Sequence, residues 1–251
     1  MQNVAYYRPK TVAEAESLLL SIPGSHILAG GQTLLNRLKT YALKASALID
    51  LAGIDLNDIT VTGQSLSIGS GATHDQIAQN TEIQMHLPAF AALVAEIGDQ
   101  AVRNRGSIGG ALAVNDPSGD YPAALMALGA TVVTQKRLLP AIDYFKGHAP
   151  NMLELGEVIL RIDIDLPKRA AYARMKHPAT GGALVSVFSV ENGASFTSVA
   201  SGVAATGVEF MDVIQAATPP KLLDDQFGSG RYRQQLARVL ERRANGELNS
   251  A

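Results

Sequence analysis

Apolar residues repeat with a helical period in some stretches of this chain and with a strand period in others, and turn residues separate the two. Thr11-Val12-Ala13-Glu14 has the form of a capping box, the Thr11 hydroxyl reaching the backbone of Glu14 and the Glu14 side chain reaching back, so a helix is predicted over 12–21. Pro23-Gly24 ends it, and 26–29 reads as a short strand. Leu34, Leu35, Leu38 and Ala42 then share one helical face, which predicts a second helix to about Ala42, and 47–50 reads as a buried strand parallel to the first. These elements describe a small βαβ-like lobe.

A hairpin is predicted next, 59–61 against 65–69 around Thr62-Gly63-Gln64-Ser65, opening a larger lobe. Thr73 caps a helix that includes Ile77, and 88–97 reads as a stronger one with Phe90, Leu93, Val94 and Ile97 facing inward. A helix over 121–128 and strands over 130–135 and 157–166 complete this lobe, the last alternating Val158, Leu160, Ile162 and Ile164. Pro167-Lys168-Arg169 is the predicted boundary, giving one domain over 1–168, with lobes of about 1–56 and 57–168, and another over 169–251. In the latter, 170–175, 184–190 and 196–205 predict an antiparallel sheet, and 231–244 an amphipathic terminal helix carrying Leu236, Val239 and Leu240. No internal repeat interrupts this order.

Two loops stand out. Residues 101–120, AVRNRGSIGGALAVNDPSGD, crowd four glycines, two arginines and two aspartates into one turn-rich run. Gly106, Gly109 and Gly110 lack the Cβ that holds a ligand off the backbone, so consecutive N–H groups can converge on an anion such as a pyrophosphate. Ala29-Gly30-Gly31-Gln32-Thr33 follows a predicted strand and leads into a predicted helix, where free N–H groups and the helix dipole both favour negative charge. The pair suggests one phosphate-bearing ligand held from two sides, although tight turns explain the glycines equally well on spacing alone. Gly-x-Gly-x-x-Gly and the Gly-x-x-x-x-Gly-Lys-Ser/Thr loop are both absent, which argues against a Rossmann dehydrogenase and a P-loop NTPase.

Composition narrows the classes further. A chain of 251 residues, 47% of them hydrophobic, can bury one large or two modest cores. With no cysteine it holds neither a disulfide nor a cysteine-ligated zinc or iron–sulfur centre. A net charge of −2, no basic block, and only seven tyrosines and six phenylalanines give no support to a nucleic-acid or anionic-membrane partner. No stretch approaches the roughly 18 apolar residues of a membrane span, and MQNVAYYRPK lacks the apolar core of a signal peptide. The expectation is a soluble cytoplasmic protein. His26, His74, His86, His148 and His177 are scattered without metal-ligand spacing and read as ordinary surface or turn residues. No catalytic triad, carboxylate pair or metal site is assigned.

The stretches RNRGSIGGALAVNDPSGDYPAALMALGA and LAGGQTLLNRLK are similar to those of the FAD-binding medium subunits of molybdenum hydroxylases, the carbon monoxide dehydrogenase and xanthine dehydrogenase family. The resemblance runs from Tyr6 to about Ala244. It implies an α/β (α+β) fold: a two-lobed FAD-binding domain of the vanillyl-alcohol-oxidase type, followed by a small C-terminal α+β domain with an antiparallel sheet. It also implies FAD as this chain's cofactor. The molybdopterin cofactor would lie in a large partner, two [2Fe-2S] clusters in a small one, and the assembly would be a dimer of heterotrimers. Electrons would pass from the clusters through FAD to NAD, oxygen, a quinone or a dye.

Carried over residue by residue, the resemblance puts the cofactor against Leu28, Ala29, Gly30, Gly31, Gln32, Thr33 and Leu34 in the first loop. In the second it uses Ala101, Val102, Gly106, Ser107, Ile108, Gly109 and Gly110, with side-chain hydrogen bonds from Gln32, Thr33 and Ser107. Arg103 and Arg105 either neutralise phosphate charge, stay solvated, or pin the loop to a carboxylate. Asn115, Asp116, Gly119 and Asp120 fall where ribose or ribityl hydroxyls are bound, while Asp116-Pro117 also suits a turn and Asp120 also suits a helix N-cap. Ile159 and Leu160 fall where apolar side chains meet the adenine, or are core strand residues. Arg174 replaces a usual lysine near the cofactor, keeping charge but not geometry, and Lys176 follows it. Gly182 stands where a tyrosine approaches the flavin ring in carbon monoxide dehydrogenase. Two rival readings remain: a self-sufficient flavin oxidase or reductase, and a structural subunit that binds no flavin.

Overall fold

The computed structural model describes residues 4–116, 119–145, 153–179, 182–193, 195–204 and 207–250. His148 and the Pro117 of the expected Asp116-Pro117 turn lie outside them. Three sheets organise the chain. β1 (Ala5–Tyr7), α1 (Val12–Ser21), β2 (Ser25–Leu28), α2 (Leu34–Lys39) and β3 (Ala47–Asp50) form the first lobe. Its parallel sheet has the order β1-β3-β2. β1 is an addition to the expected βαβ unit.

Local chemistry explains the ends of these elements. Thr11 caps α1 as expected, accepting from the Glu14 N–H, but the Glu14 carboxylate takes the N–H of Lys10 at 2.7 Å instead of that of Thr11. α2 stops at Lys39, short of Ala42, because Thr40 turns its hydroxyl back onto the Asn36 carbonyl and Tyr41 adopts φ +58°.

The second lobe contains β4 (Ile59–Thr62), β5 (Ser65–Gly69), α3 (His74–Gln79), α4 (Thr81–His86), α5 (Pro88–Ala95), α6 (Gln100–Arg103), α7 (Ile108–Val114), α8 (Asp120–Ala127), β6 (Thr131–Thr134), β7 (Leu138–Pro140), α9 (Ala141–Tyr144) and β8 (Ile159–Asp165). Its antiparallel sheet has the order β4-β5-β8-β6-β7. The hairpin, the Thr73 cap and α5 match expectation, with Phe90, Leu93 and Val94 buried and Ile97 packed just past the helix end. The run 101–120 is not all turn: α6, α7 and the start of α8 occupy most of it.

β9 (Ala170–Lys176), β10 (Ala183–Asn192), β11 (Ser195–Ala204) and β12 (Gly207–Phe210) form an antiparallel sheet of order β12-β11-β10-β9. α10 (Met211–Ile214) follows, and α11 (Gly230–Ser250) crosses the sheet. α11 is longer than predicted, and Val239 lies on its exposed side while Leu236 and Leu240 are buried. One face of this sheet shares the core of the second lobe, since Phe188, Val190, Val199 and Val208 join the cluster that holds Phe90, Tyr121 and Leu125. The other face packs Leu184, Val185 and Val187 under α11. No helix among the described residues is long and apolar enough to cross a membrane.

Arg233 ties α11 to its sheet. It is 2% exposed and donates to the carbonyls of Leu184 at 2.8 Å and Gly202 at 2.9 Å, and to Asp225. Arg233→Leu leaves those carbonyls without a donor, and we expect a loss of about 3 kcal/mol in denaturant unfolding. A loss below about 0.5 kcal/mol, the size of an ordinary surface change, would show that the guanidinium is not a structural tie.

Candidate functional site

The two glycine loops meet. Gly30 ends the turn after β2, and a Cβ built on it would sit 2.0 Å from the Arg105 carbonyl oxygen and 2.9 Å from the Gly106 Cα. Only a residue without a side chain lets the backbones of 29–33 and 104–107 come this close. Gly31, at φ +76°, completes the turn, and the Cδ1 of Leu35 fills the space where its Cβ would be. Thr33 is the N-cap of α2 but makes no side-chain cap.

The donors of the two loops differ. Among the described residues, the N–H groups of Gly30, Gly31, Gln32, Thr33 and Leu34 find no acceptor. In the second loop the Ile108 N–H donates to Ala72 at 3.0 Å, that of Gly109 to Ser70 at 2.8 Å, and that of Gly110 to the Ser107 hydroxyl at 3.2 Å. The run of consecutive unpaired N–H groups therefore lies in the first loop. The second is held to the 70–74 segment like a short strand, through the Thr73–Ser107 bridge and the His74 N–H to Gly106. Gly109 is needed for that approach, because its Cβ would fall 2.6 Å from the Ser70 Cβ. Ser107 is the N-cap of α7, so its oxygen already accepts one hydrogen bond. Of its neighbours, Ala101 is exposed and Val102 half-buried on α6.

Arg103 is pinned to the loop by backbone carbonyls and an amide, not by a carboxylate: it donates to Ile97 and Gly98, each at 3.1 Å, and to Gln100. Arg105 is exposed and makes no ion pair among the described residues. At the end of α7, Asn115 caps in the left-handed region with φ +49°. Asp116 is exposed. The N-cap of α8 is Gly119, not Asp120, whose carboxylate is turned away into the protein. It accepts from the Tyr172 hydroxyl at 3.0 Å. Burial raises the Asp120 pKa, against hydrogen bonds from Tyr172 and Ser186 and the charge of Arg174. Arg174 is ion-paired with Glu96, and its guanidinium also reaches the Glu96 carbonyl at 3.3 Å. Lys176 is exposed at the strand end.

Ile159 and Leu160 part company, as consecutive strand residues must. Ile159 enters the core, whereas Leu160 lines a cleft of about 200 Å³ with Leu56, Asp58, Ser67 and Arg161. Gly182 closes the β9–β10 turn, its carbonyl accepting from His177.

The sequence reading missed His74, which is neither surface nor turn. It is 4% exposed beneath Gly106, whose Cβ would lie 2.7 Å from its Nε2, and its Nδ1 shares a hydrogen bond with the Tyr121 hydroxyl at 2.9 Å. Burial, helped by the charge of Arg103, pushes its pKa down to about 4. The imidazole is thus neutral near pH 7. Its place just after the Thr73 cap, at the start of a helix that packs on α5, was the one local signal.

The chain resembles known proteins along most of its length. Residues 2–168 match the family described as the FAD binding domain in molybdopterin dehydrogenase. The glyceraldehyde dehydrogenase medium chain of Sulfolobus acidocaldarius is 30% identical over 190 residues, covering 73% of this chain and 68% of that one. The carbon monoxide dehydrogenase medium chain of Hydrogenophaga pseudoflava is 34% identical over 165 residues, 63% of this chain and 58%, less than two thirds, of the relative. A solved structure of reconstituted carbon monoxide dehydrogenase from Oligotropha carboxidovorans superposes with a TM-score of 0.88 at 27% identity, over 98% of this chain and 97% of that one.

Two outcomes follow from the packing. Gly30→Ala should lower stability by about 2 kcal/mol, as overpacking does, and by more than Gly110→Ala, whose new Cβ meets only the Ser107 hydroxyl at 3.1 Å. Equal melting temperatures for the two would contradict the contact. For His74, the unfolded chain takes up its proton near pH 6.5 and the folded chain only near pH 4. Its contribution is therefore whole above pH 6.5 and falls by about 3 kcal/mol between pH 6.5 and 4. His74→Asn should lack this slope, and parallel stability curves for variant and wild type would refute it.

Proposed function

This chain belongs to the family of FAD-binding domains of molybdopterin dehydrogenases, an oxidoreductase family, and from that premise we propose that it is the FAD-carrying electron-transfer subunit of a molybdenum hydroxylase. The observation that supports this reading best is the row of unpaired N–H groups from Gly30 to Leu34, backed by the Arg105–Gly106 backbone. Such a row is matched to a pyrophosphate: several neutral donors, fixed before the anion arrives, need little reorganisation to bind it.

The residues divide the work of holding the cofactor. Leu28, Ala29, Gly30, Gly31, Gln32, Thr33 and Leu34 bind the pyrophosphate. Ala101, Val102, Gly106, Ser107, Ile108, Gly109 and Gly110 form the opposite wall. Asn115, Asp116 and Gly119 serve the sugar and ribityl hydroxyls, a task to which the Asp116 carboxylate brings up to four acceptor sites, while Asp120, its carboxylate buried against Tyr172, supports this turn from within. Leu160 supplies the apolar wall for the adenine, with Ile159 behind it as core. Arg174 and Lys176 add positive charge toward the ring end. FAD supplies the redox chemistry, accepting and releasing electrons, while the protein binds it, orients it and sets its surroundings.

A large molybdopterin subunit would oxidise the substrate, and a small subunit with two [2Fe-2S] clusters would deliver the electrons. The absence of cysteine here is consistent with clusters carried by a partner. The assembly would be a dimer of heterotrimers in the cytoplasm, and the electrons would leave to NAD, oxygen, a quinone or a dye. The visible spectrum of the purified chain, with the chromophore identified after mild denaturation, tests the proposal. Stoichiometric FAD is expected. A colourless protein that fails to take up added FAD would contradict it.

A further inference from the structure

We infer that His74 is a positioning residue for the cofactor loops: a buried, hydrogen-bonded imidazole that sets the height of Gly106 and so the gap between Arg105 and Gly30. The inference rests on the FAD reading above and concerns a residue that reading does not use. Three contacts meet at His74, two of them on Gly106 and the third on α8. The His74 N–H donates to the Gly106 carbonyl at 2.9 Å, its ring edge lies directly under Gly106, and its Nδ1 is held by Tyr121 at 2.9 Å. Tyr121 is itself fixed, packed against Phe90 with ring centroids 5.8 Å apart and rooted in the first turn of α8. The imidazole therefore joins α8 to the turn between α6 and α7, which carries no other buried polar side chain apart from the Ser107 cap.

A larger or differently held group at this point would lift Gly106. Because Gly30 has no room to yield against Arg105, the displacement would pass to the first loop, where the unpaired donors are. A ring without its hydrogen bond would be free to shift in the same way. The direction of influence is geometric: His74 touches the loop, not the cofactor.

The test uses the full chain stripped of cofactor and titrated with FAD, read by flavin fluorescence, alongside amide exchange of 106–110 without FAD. His74→Leu and Tyr121→Phe should each weaken FAD binding by about tenfold or more, the equivalent of one lost hydrogen bond, and speed exchange in that segment. His74→Asn, whose amide can stand in for Nδ1 toward Tyr121, should restore most of the affinity. Tyr121→Phe keeps the ring and its packing, so it tests the idea even if His74→Leu folds poorly. Unchanged affinity and exchange in Tyr121→Phe, or an Asn variant as weak as the Leu variant, would overturn the inference while leaving FAD binding in place. A wild-type chain that binds no FAD would instead overturn the reading beneath it.

Discussion

Gly30 and Arg105 belong to different segments of the chain, separated by β3, a hairpin and five α-helices, yet their backbones touch with no space for a methyl group between them. That contact fixes where the first lobe sits on the second. β2 must end where it does for the turn to reach Arg105, and α7 must start where it does for Gly106 to receive it. The same device recurs nearby: a Cβ on Gly53 would lie 2.3 Å from the Pro9 carbonyl, and one on Gly69 would lie 2.2 Å from that of Leu56. Close backbone approach of this kind leaves N–H groups exposed on one side of a turn while the other side is closed by protein. The outcome is a rigid row of donors, and rigidity is what an anion site needs.

A second linkage runs from this region into the C-terminal sheet. Asp120 and Tyr121 are adjacent at the start of α8 and point to different neighbours, Asp120 to Tyr172 on β9 and Tyr121 to His74 under the loop. Arg174, two residues beyond Tyr172, is paired with Glu96 just past α5. With Phe188, Val190 and Val199 contributing to the core of the second lobe, the residues after 168 bury apolar surface jointly with those before it. Energetically, the chain division near Pro167 is not a division of the core.

Much of this was legible in the sequence, for a physical reason. α1, the 59–69 hairpin, the Thr73 cap, α5 and the strand 159–165 are set by local patterns, namely a capping side chain, a glycine turn and an apolar period. The two loops were legible as glycine clusters, and their resemblance to a family gave them a cofactor. What escaped was whatever depends on distant partners. β1 is three residues whose pairing with β3 no local pattern signals. The glycines of 106–110 suggested open donors, but which N–H groups are taken depends on Ser70 and Ala72, far back in the chain. Asp120 looked like a cap because caps are local, and it faces Tyr172 because a sheet more than fifty residues later packs against it. His74 was passed over for the same reason.

The central claim is that the unpaired N–H groups of 30–34 are the pyrophosphate-binding row of a flavin site. Hydrogen exchange of these amides, measured on the cofactor-stripped chain and again with saturating FAD, tests it most directly. The account predicts strong slowing at Gly30 to Leu34 on binding, with Ile108 and Gly109 already protected beforehand by Ala72 and Ser70. FAD that binds without slowing exchange at 30–34 would contradict it.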